Sequence, residues 1–232
     1  MKKLILILCL LLAIQITAQK SKNDEIVVAV NKKLDDLWGE SNAPGISLSI
    51  AFPNGETETF TRGFADVEKD IKMTSKTRML GGSTGKIFYS VIALQLIEEG
   101  KLKLDDPIFN IMSDYSWFSK MPNAKKLTVR SLMRHETGIP RYIFTEAFQT
   151  DILKDVNKVW KPDELLSYVF DEKPLFNVGE GFTYSDTNYV ILGMLIEKIT
   201  GNTLSYHEPI WVIDRAGLKN GVQQTNRKYK DI

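Results

Sequence analysis

The segment Gly82-Ser83-Thr84-Gly85-Lys86 opens a long apolar run and holds two residue types that can make a nucleophile without histidine. Ser83 and Lys86 are three positions apart, which on a helix puts both side chains on one face within contact reach. A serine hydroxyl attacks only when something takes its proton. A lysine amine can take it when burial or neighbouring groups leave the amine neutral. Further along, Gly181-Phe182-Thr183-Tyr184-Ser185-Asp186-Thr187-Asn188-Tyr189 leads into a second apolar helical run. A tyrosine beside a cationic lysine loses its proton more readily, because the opposite charge favours the phenolate. Tyr184 could then exchange protons with the serine and with a leaving group. Asp186 is a natural cap for the helix that follows.

Two other chemistries compete for the glycine-rich segment. A phosphate-cradling loop needs glycine where Leu80 stands and Ser or Thr where Ile87 stands, so it fails at both places. Gly81-Gly82-Ser83-Thr84-Gly85 fits the Gly-x-Ser-x-Gly elbow of an α/β hydrolase. That elbow needs a strong preceding strand and alternating βα units, and Thr77-Arg78-Met79-Leu80 is a feeble strand. His207 follows the serine in the required order. An acyl-serine enzyme built on Ser83 and Lys86 fits best.

Composition narrows the classes. The chain has 232 residues, 43% hydrophobic and 25% charged, as a globular protein does. Its formal charge of +1 gives no electrostatic case for nucleic acid. Residues 1–18 resemble an export signal: Lys2 and Lys3, an apolar run of 11 residues from Leu4 to Ile14, then Thr17-Ala18. The run is short for a membrane span, so no stable span is expected after cleavage. The expected location is periplasmic or secreted. Cleavage after Ala18 removes two of the 30 basic residues, leaving 28 against 29 acidic, and also removes Cys9, the single cysteine. The mature chain would then use neither disulfides nor thiolates. No His/Asp/Glu set has ligand spacing, so neither metal nor cofactor is expected.

The elements that must position these residues are legible in outline. Asp24 to Trp38 has a helical apolar stripe, and Asn42-Ala43-Pro44-Gly45 breaks it. Ile46 to Phe52 and Glu56 to Gly63 alternate around Pro53-Asn54-Gly55, which predicts a β-hairpin. Thr84 to Glu99 is helical and stops at Gly100. Thr128 caps a short helix to about Arg134. Pro162 sits in the first turn of another, and Thr187 to Thr200 forms a further helix closed by Gly201. The β pattern gives way to α between residues 70 and 80. This predicts a signal at 1–18, an N-terminal helix and hairpin at 19–75, and a mainly helical part at 76–232. No third clear strand is offered.

Together these motifs resemble the serine β-lactamase and penicillin-binding-protein superfamily, in the branch holding class C β-lactamases, D-alanyl-D-alanine carboxypeptidases and related esterases and D-aminopeptidases. The resemblance runs from roughly Ala43 to Leu218. Besides the two motifs it includes the stretch from Glu98 to Pro107, the stretch from Ser131 to Pro140, and Tyr184-Ser185-Asp186 as the family's Tyr-x-Asn block. It implies an α+β, β-lactamase/transpeptidase-like fold. It also implies that Ser83 is acylated, that Lys86 accepts or relays its proton, and that Tyr184 serves as general base and acid. The substrate would be a small molecule or a peptidoglycan-like peptide with an ester, amide or lactam bond. His135 falls in a segment that is usually structural, and His207 is expected to be exposed.

Two departures stand out. Asp186 occupies a position where this branch commonly has asparagine. An ionised carboxylate accepts hydrogen bonds but cannot donate one to a substrate carbonyl. It would also pair with Lys86, hold its proton and shift basic work to Tyr184. Asp186 could instead cap the helix and face away, and Asn188 could supply the amide if the loop shifts. The family's third motif, Lys-Thr-Gly or His-x-Gly on an edge strand, is not found in the 44 positions after Asn188. The chain is therefore expected to match the N-terminal two-thirds of such an enzyme, with an incomplete antiparallel sheet. On its own it is expected to be poorly soluble or inactive. The competing expectation is a non-catalytic remnant or binding module of the same fold.

Overall fold

The computed structural model describes residues 22–222. The expected export signal at 1–18 lies outside them. Among the described residues the chain divides into two compact units, one ending at Leu80 and the other beginning at Gly81.

The first unit starts with a helix over 22–40, α1, followed by β1 (Gly45–Ala51), β2 (Thr57–Asp66) and β3 (Ile71–Lys72). The sheet order is β1-β2-β3, antiparallel throughout. The expected hairpin is present, with Leu48 opposite Phe60 and Gly45 opposite Gly63. β3 corrects the sequence reading, which offered two strands only. It has two residues, both exposed, and no alternation to betray it. A register shift between Phe64 and Asp66 admits it to the ladder. Arg62 of β2 ties α1 to the sheet. It donates to Asp35 at 2.5 Å and to the Asn31 side chain at 3.1 Å.

The second unit is helical. A 3-10 turn, Gly82–Gly85, runs directly into α2 (Lys86–Glu98). Then come α3 (Phe109–Met112), α4 (Val129–Met133), α5 (Glu146–Lys154), α6 (Pro162–Ser167), α7 (Asp186–Thr200) and α8 (Leu204–His207), with a π-helical turn over Glu208–Ile213. α7 is the core element: Ile191, Leu192, Leu195 and Ile196 are fully buried. They pack with Ile92 and Leu96 of α2, Leu132 of α4 and Leu166 of α6 in one apolar cluster. Burying each such side chain contributes roughly 1.5–3 kcal/mol, so α2 and α7 are held side by side by their apolar content. Thr128 caps α4 as expected. Its hydroxyl accepts from the Ser131 N–H, and the Ser131 hydroxyl accepts from the Thr128 N–H. Gly201 closes α7 in the left-handed region at φ 70°.

His207 is another correction. It is buried, packed edge-on to Trp211 with ring centroids 4.9 Å apart, not exposed. Among the described residues no helix is long and apolar enough to cross a membrane.

The loop from His135 to Tyr142 carries a tight turn at Gly138, whose φ is +71°. A Cβ there would collide with the Phe176 carbonyl oxygen, which is backbone and cannot swing aside. Gly138→Ala should therefore cost about 1–3 kcal/mol in chemical unfolding. A loss within a few tenths would show that the turn tolerates a side chain.

Candidate active site

A 3-10 helix has three residues per turn, so side chains at i and i+3 eclipse each other. The turn at Gly82–Gly85 therefore stacks Ser83 against Lys86, the first residue of α2. Lys86 Nζ donates to Ser83 Oγ at 3.2 Å. The Tyr184 hydroxyl reaches the same oxygen from the other motif and donates to it at 2.7 Å. Three side chains from two distant segments thus converge on one hydroxyl. Ser83 is exposed, while Lys86 and Tyr184 are partly covered.

Asp186 is where the structure decides between the sequence alternatives. It is the first residue of α7. Ser185 holds the cap position, and no side chain caps the helix. The Asp186 carboxylate faces the site instead. Oδ1 accepts from Lys86 Nζ at 3.1 Å. Oδ2 accepts from Arg141 Nε at 3.0 Å and from Arg141 Nη2 at 2.7 Å. About a fifth of each of the Lys86 and Asp186 side chains remains exposed. Both carboxylate oxygens already hold donors, and the group has no proton of its own to offer.

Sequence reasoning missed Arg141, which directly follows the quoted Gly138-Ile139-Pro140 turn. The available signal was the acid at position 186: a carboxylate leaving water needs compensating charge. The placement of Arg141 is built from backbone contacts. The Pro140 carbonyl accepts from Thr187 Oγ1 at 2.8 Å and from Ser185 Oγ at 3.2 Å, and the Tyr142 N–H donates to Thr187 Oγ1 at 3.2 Å. These bonds bracket Arg141 and hold its backbone against the first turn of α7.

The structure gives Asn188 a position different from the one expected. It is fully buried, not turned toward a substrate. Its Oδ1 accepts from Thr137 Oγ1 at 2.7 Å, and its amide nitrogen lies 3.2 Å from His135 Nδ1. The helical register explains this: Asp186 and Asn188 are two residues apart and so lie on different faces. His135 is likewise structural. Its Nδ1 accepts from the Ser185 N–H at 3.1 Å, and its ring lies 4.3 Å from that of Tyr184. Burial pushes its pKa down, helped by the charges of Lys86 and Arg141, so it packs against Tyr184 as a neutral ring.

The electrostatics follow from this arrangement. Burial pulls the Lys86 amine down, but the Tyr184 phenol and the Asp186 carboxylate outweigh it and raise its pKa above the ordinary lysine value. Burial opposes ionisation of Tyr184, yet Lys86 and the hydrogen bond to Ser83 bring its pKa below that of a free tyrosine. Burial also opposes ionisation of Asp186, and Arg141 and Lys86 overcome it, holding the carboxyl below its usual range. The site thus favours a protonated lysine, an ionised aspartate and an acidified tyrosine. Removing the cation should reverse the tyrosine shift. In Lys86→Met the Tyr184 phenolate should form at higher pH than in the unsubstituted protein, read as the ultraviolet difference against Tyr184→Phe. An unchanged titration would mean that Lys86 does not act on the phenol.

The comparisons with known proteins point the same way. The Beta-lactamase family model matches residues 30–219. Protein flp of Staphylococcus aureus is 27% identical over 205 residues, covering 87% of this chain and 39% of that protein. The D-amino acid amidase of Ochrobactrum anthropi SV3, with L-phenylalanine bound, superposes with a TM-score of 0.68 at 28% identity. The match covers 82% of this chain and 49% of that one. An octameric penicillin-binding protein homologue from Pyrococcus abyssi superposes with a TM-score of 0.70 at 28% identity, covering 82% and 43%. The match therefore spans less than half the length of each of these relatives, as a chain that carries only part of the fold should. Its three-stranded sheet and helical unit form part of the β-lactamase/transpeptidase-like fold. With 30–219 matched and the fold shared, the chain belongs to the Beta-lactamase family.

Proposed function

We propose that this protein is a serine hydrolase that cleaves an ester, amide or strained lactam through an acyl-serine intermediate. The observation that carries the reading is the convergence of Lys86 Nζ and Tyr184 Oη on Ser83 Oγ, at 3.2 and 2.7 Å. Family membership supports hydrolytic chemistry in general, and the relatives' amino-acid and amide ligands support a small-molecule substrate.

In this reading the proton path runs through Tyr184. The phenolate accepts the Ser83 proton along the 2.7 Å contact as Oγ bonds to the substrate carbonyl carbon. The Ser83 backbone N–H, at the start of the turn leading into α2, donates to the developing oxyanion. Tyr184 then passes its proton to the departing group, and the carbon–leaving-group bond breaks. A water molecule next gives a proton to the Tyr184 phenolate and attacks the acyl carbon; the carbon–Oγ bond then breaks as Tyr184 returns that proton to Ser83 Oγ, which releases the acid and restores both the serine and the phenolate. Lys86 remains an ammonium throughout. It steadies the phenolate and the serine oxygen, because Asp186 holds its proton.

Export to the periplasm or exterior is part of the same proposal and rests on residues 1–18. Peptidoglycan-like peptides remain within the substrate class.

The test uses the protein as isolated from its source. Incubation with a fluorescent fluorophosphonate or penicillin should give one label per chain, at Ser83. Ser83→Ala should abolish labelling, and Tyr184→Phe should slow it by about 10²–10⁴-fold. The labelling rate should climb with pH as Tyr184 loses its proton, with a midpoint below the ordinary tyrosine pKa. Labelling that survives Ser83→Ala would overturn the assignment. A folded chain that takes no label would favour a non-catalytic binding module.

A further inference from the structure

On the Arg141 side of the site, Pro140, Arg141, Phe144, Thr145, Leu175 and Thr183 line an open groove of about 280 Å³. Phe144 and Leu175 each expose more than half of their surface. Two backbone bonds fix the walls: the Leu175 N–H donates to the Gly138 carbonyl at 2.8 Å, and the Thr183 N–H to the His135 carbonyl at 3.1 Å. Arg141 is the link to the chemistry. Its guanidinium lies 5.2 Å from the Tyr184 ring centroid and 4.3 Å from that of Phe144. It is joined to Ser83 through Asp186 and Lys86.

Asp186 pairs with both cations at this edge of the site, Lys86 and Arg141. Arg141 gives Nε and Nη2 to one carboxylate oxygen, and its Nη1 has no hydrogen-bond partner among the described residues. A side chain that is 27% exposed can still offer those N–H groups to a ligand. A guanidinium held in place on one side presents a pre-set fork on the other, which suits a carboxylate. Asp186 itself can only accept. The donor to a substrate at this edge of the site is therefore the arginine beside it.

We propose that Arg141 is a specificity-determining residue that selects acyl groups bearing a carboxylate, with any apolar substituent lying against Phe144 and Leu175. The inference rests on the acyl-serine reading of Ser83 and specifies which acyl group that serine receives. It also gives the aspartate a second role, as the anchor that aims the guanidinium.

Two measurements on the protein as isolated from its source test this separately from the acyl-serine reading. The first compares para-nitrophenyl hemiglutarate with para-nitrophenyl butyrate. Arg141→Gln should lower kcat/KM for the anionic ester about tenfold or more beyond any loss it causes on the neutral ester. Arg141→Lys should recover part of the anionic preference. If both esters fall together, Arg141 only holds Asp186 and the proposal is overturned. The second needs no catalysis: Ser83→Ala protein is titrated with benzylsuccinate, with and without Arg141→Gln. Binding that weakens about tenfold or more with the glutamine supports the proposal. Binding that is absent or indifferent to it overturns the proposal. Loss of all ester turnover beside intact, arginine-dependent binding would refute the acyl-serine reading alone.

Discussion

The Asp186 carboxylate, shared between Lys86 and Arg141, is the contact that sets the electrostatics of this site. Lys86 alone beside a serine is ambiguous, since burial favours a neutral amine and solvent a charged one. A carboxylate at 3.1 Å removes the ambiguity in favour of the cation. Arg141, at 2.7 Å, keeps that carboxylate ionised although it is largely covered. The ion triplet thereby fixes the division of labour. In the proposed mechanism the amine supplies positive charge, and the phenol is the group left to carry protons.

The triplet depends on a scaffold that is mostly polar directly beneath it and apolar below that. Asn123 donates to the Thr137 and Phe176 carbonyls, both at 2.9 Å. Thr137 donates to Asn188, and His135 accepts from the first turn of α7. These groups are buried or nearly so, and leaving any one of them unpaired would cost about 1–3 kcal/mol. They bind the 135–142 loop to α7, while the fully buried Ile92, Leu96 and Leu192 hold α2 in the same core. Ser83 and Lys86 come from α2 and the turn before it. Tyr184 and Asp186 flank the start of α7. Placement of the reactive groups is thus a consequence of packing between two helices.

Much of this was legible in the sequence where local signals are strong. The helix periods, the Thr128 cap, the glycine stops and the hairpin around Pro53-Asn54-Gly55 all depend on neighbours within a few positions. The pair Ser83 and Lys86 could be read because one turn of helix brings them together. Tyr184 could be named from its chemistry, but only the resemblance between motifs joined it to Ser83, because nothing local says that a residue 101 positions away meets the serine. Arg141 was missed for the same reason: its partner is 45 positions away, and an arginine after a turn looks like solvated surface. Asn188 misled because an amide near a motif resembles a ligand contact, whereas the helical register turns it into the core. β3, with two exposed residues, leaves no periodic trace. His207 was misplaced because its burial comes from the packing of Trp211, which a lone histidine does not advertise.

The Beta-lactamase family model spans the segments that carry Ser83, Lys86, Tyr184 and Asp186. The account's central claim is that Lys86 stays charged beside Ser83 and leaves proton transfer to Tyr184. An NMR titration of the Lys86 side-chain nitrogen tests it directly. The Lys86 ammonium should persist past the pH at which an ordinary lysine deprotonates, and give way earlier in Asp186→Asn. A neutral Lys86 amine near neutral pH would contradict it.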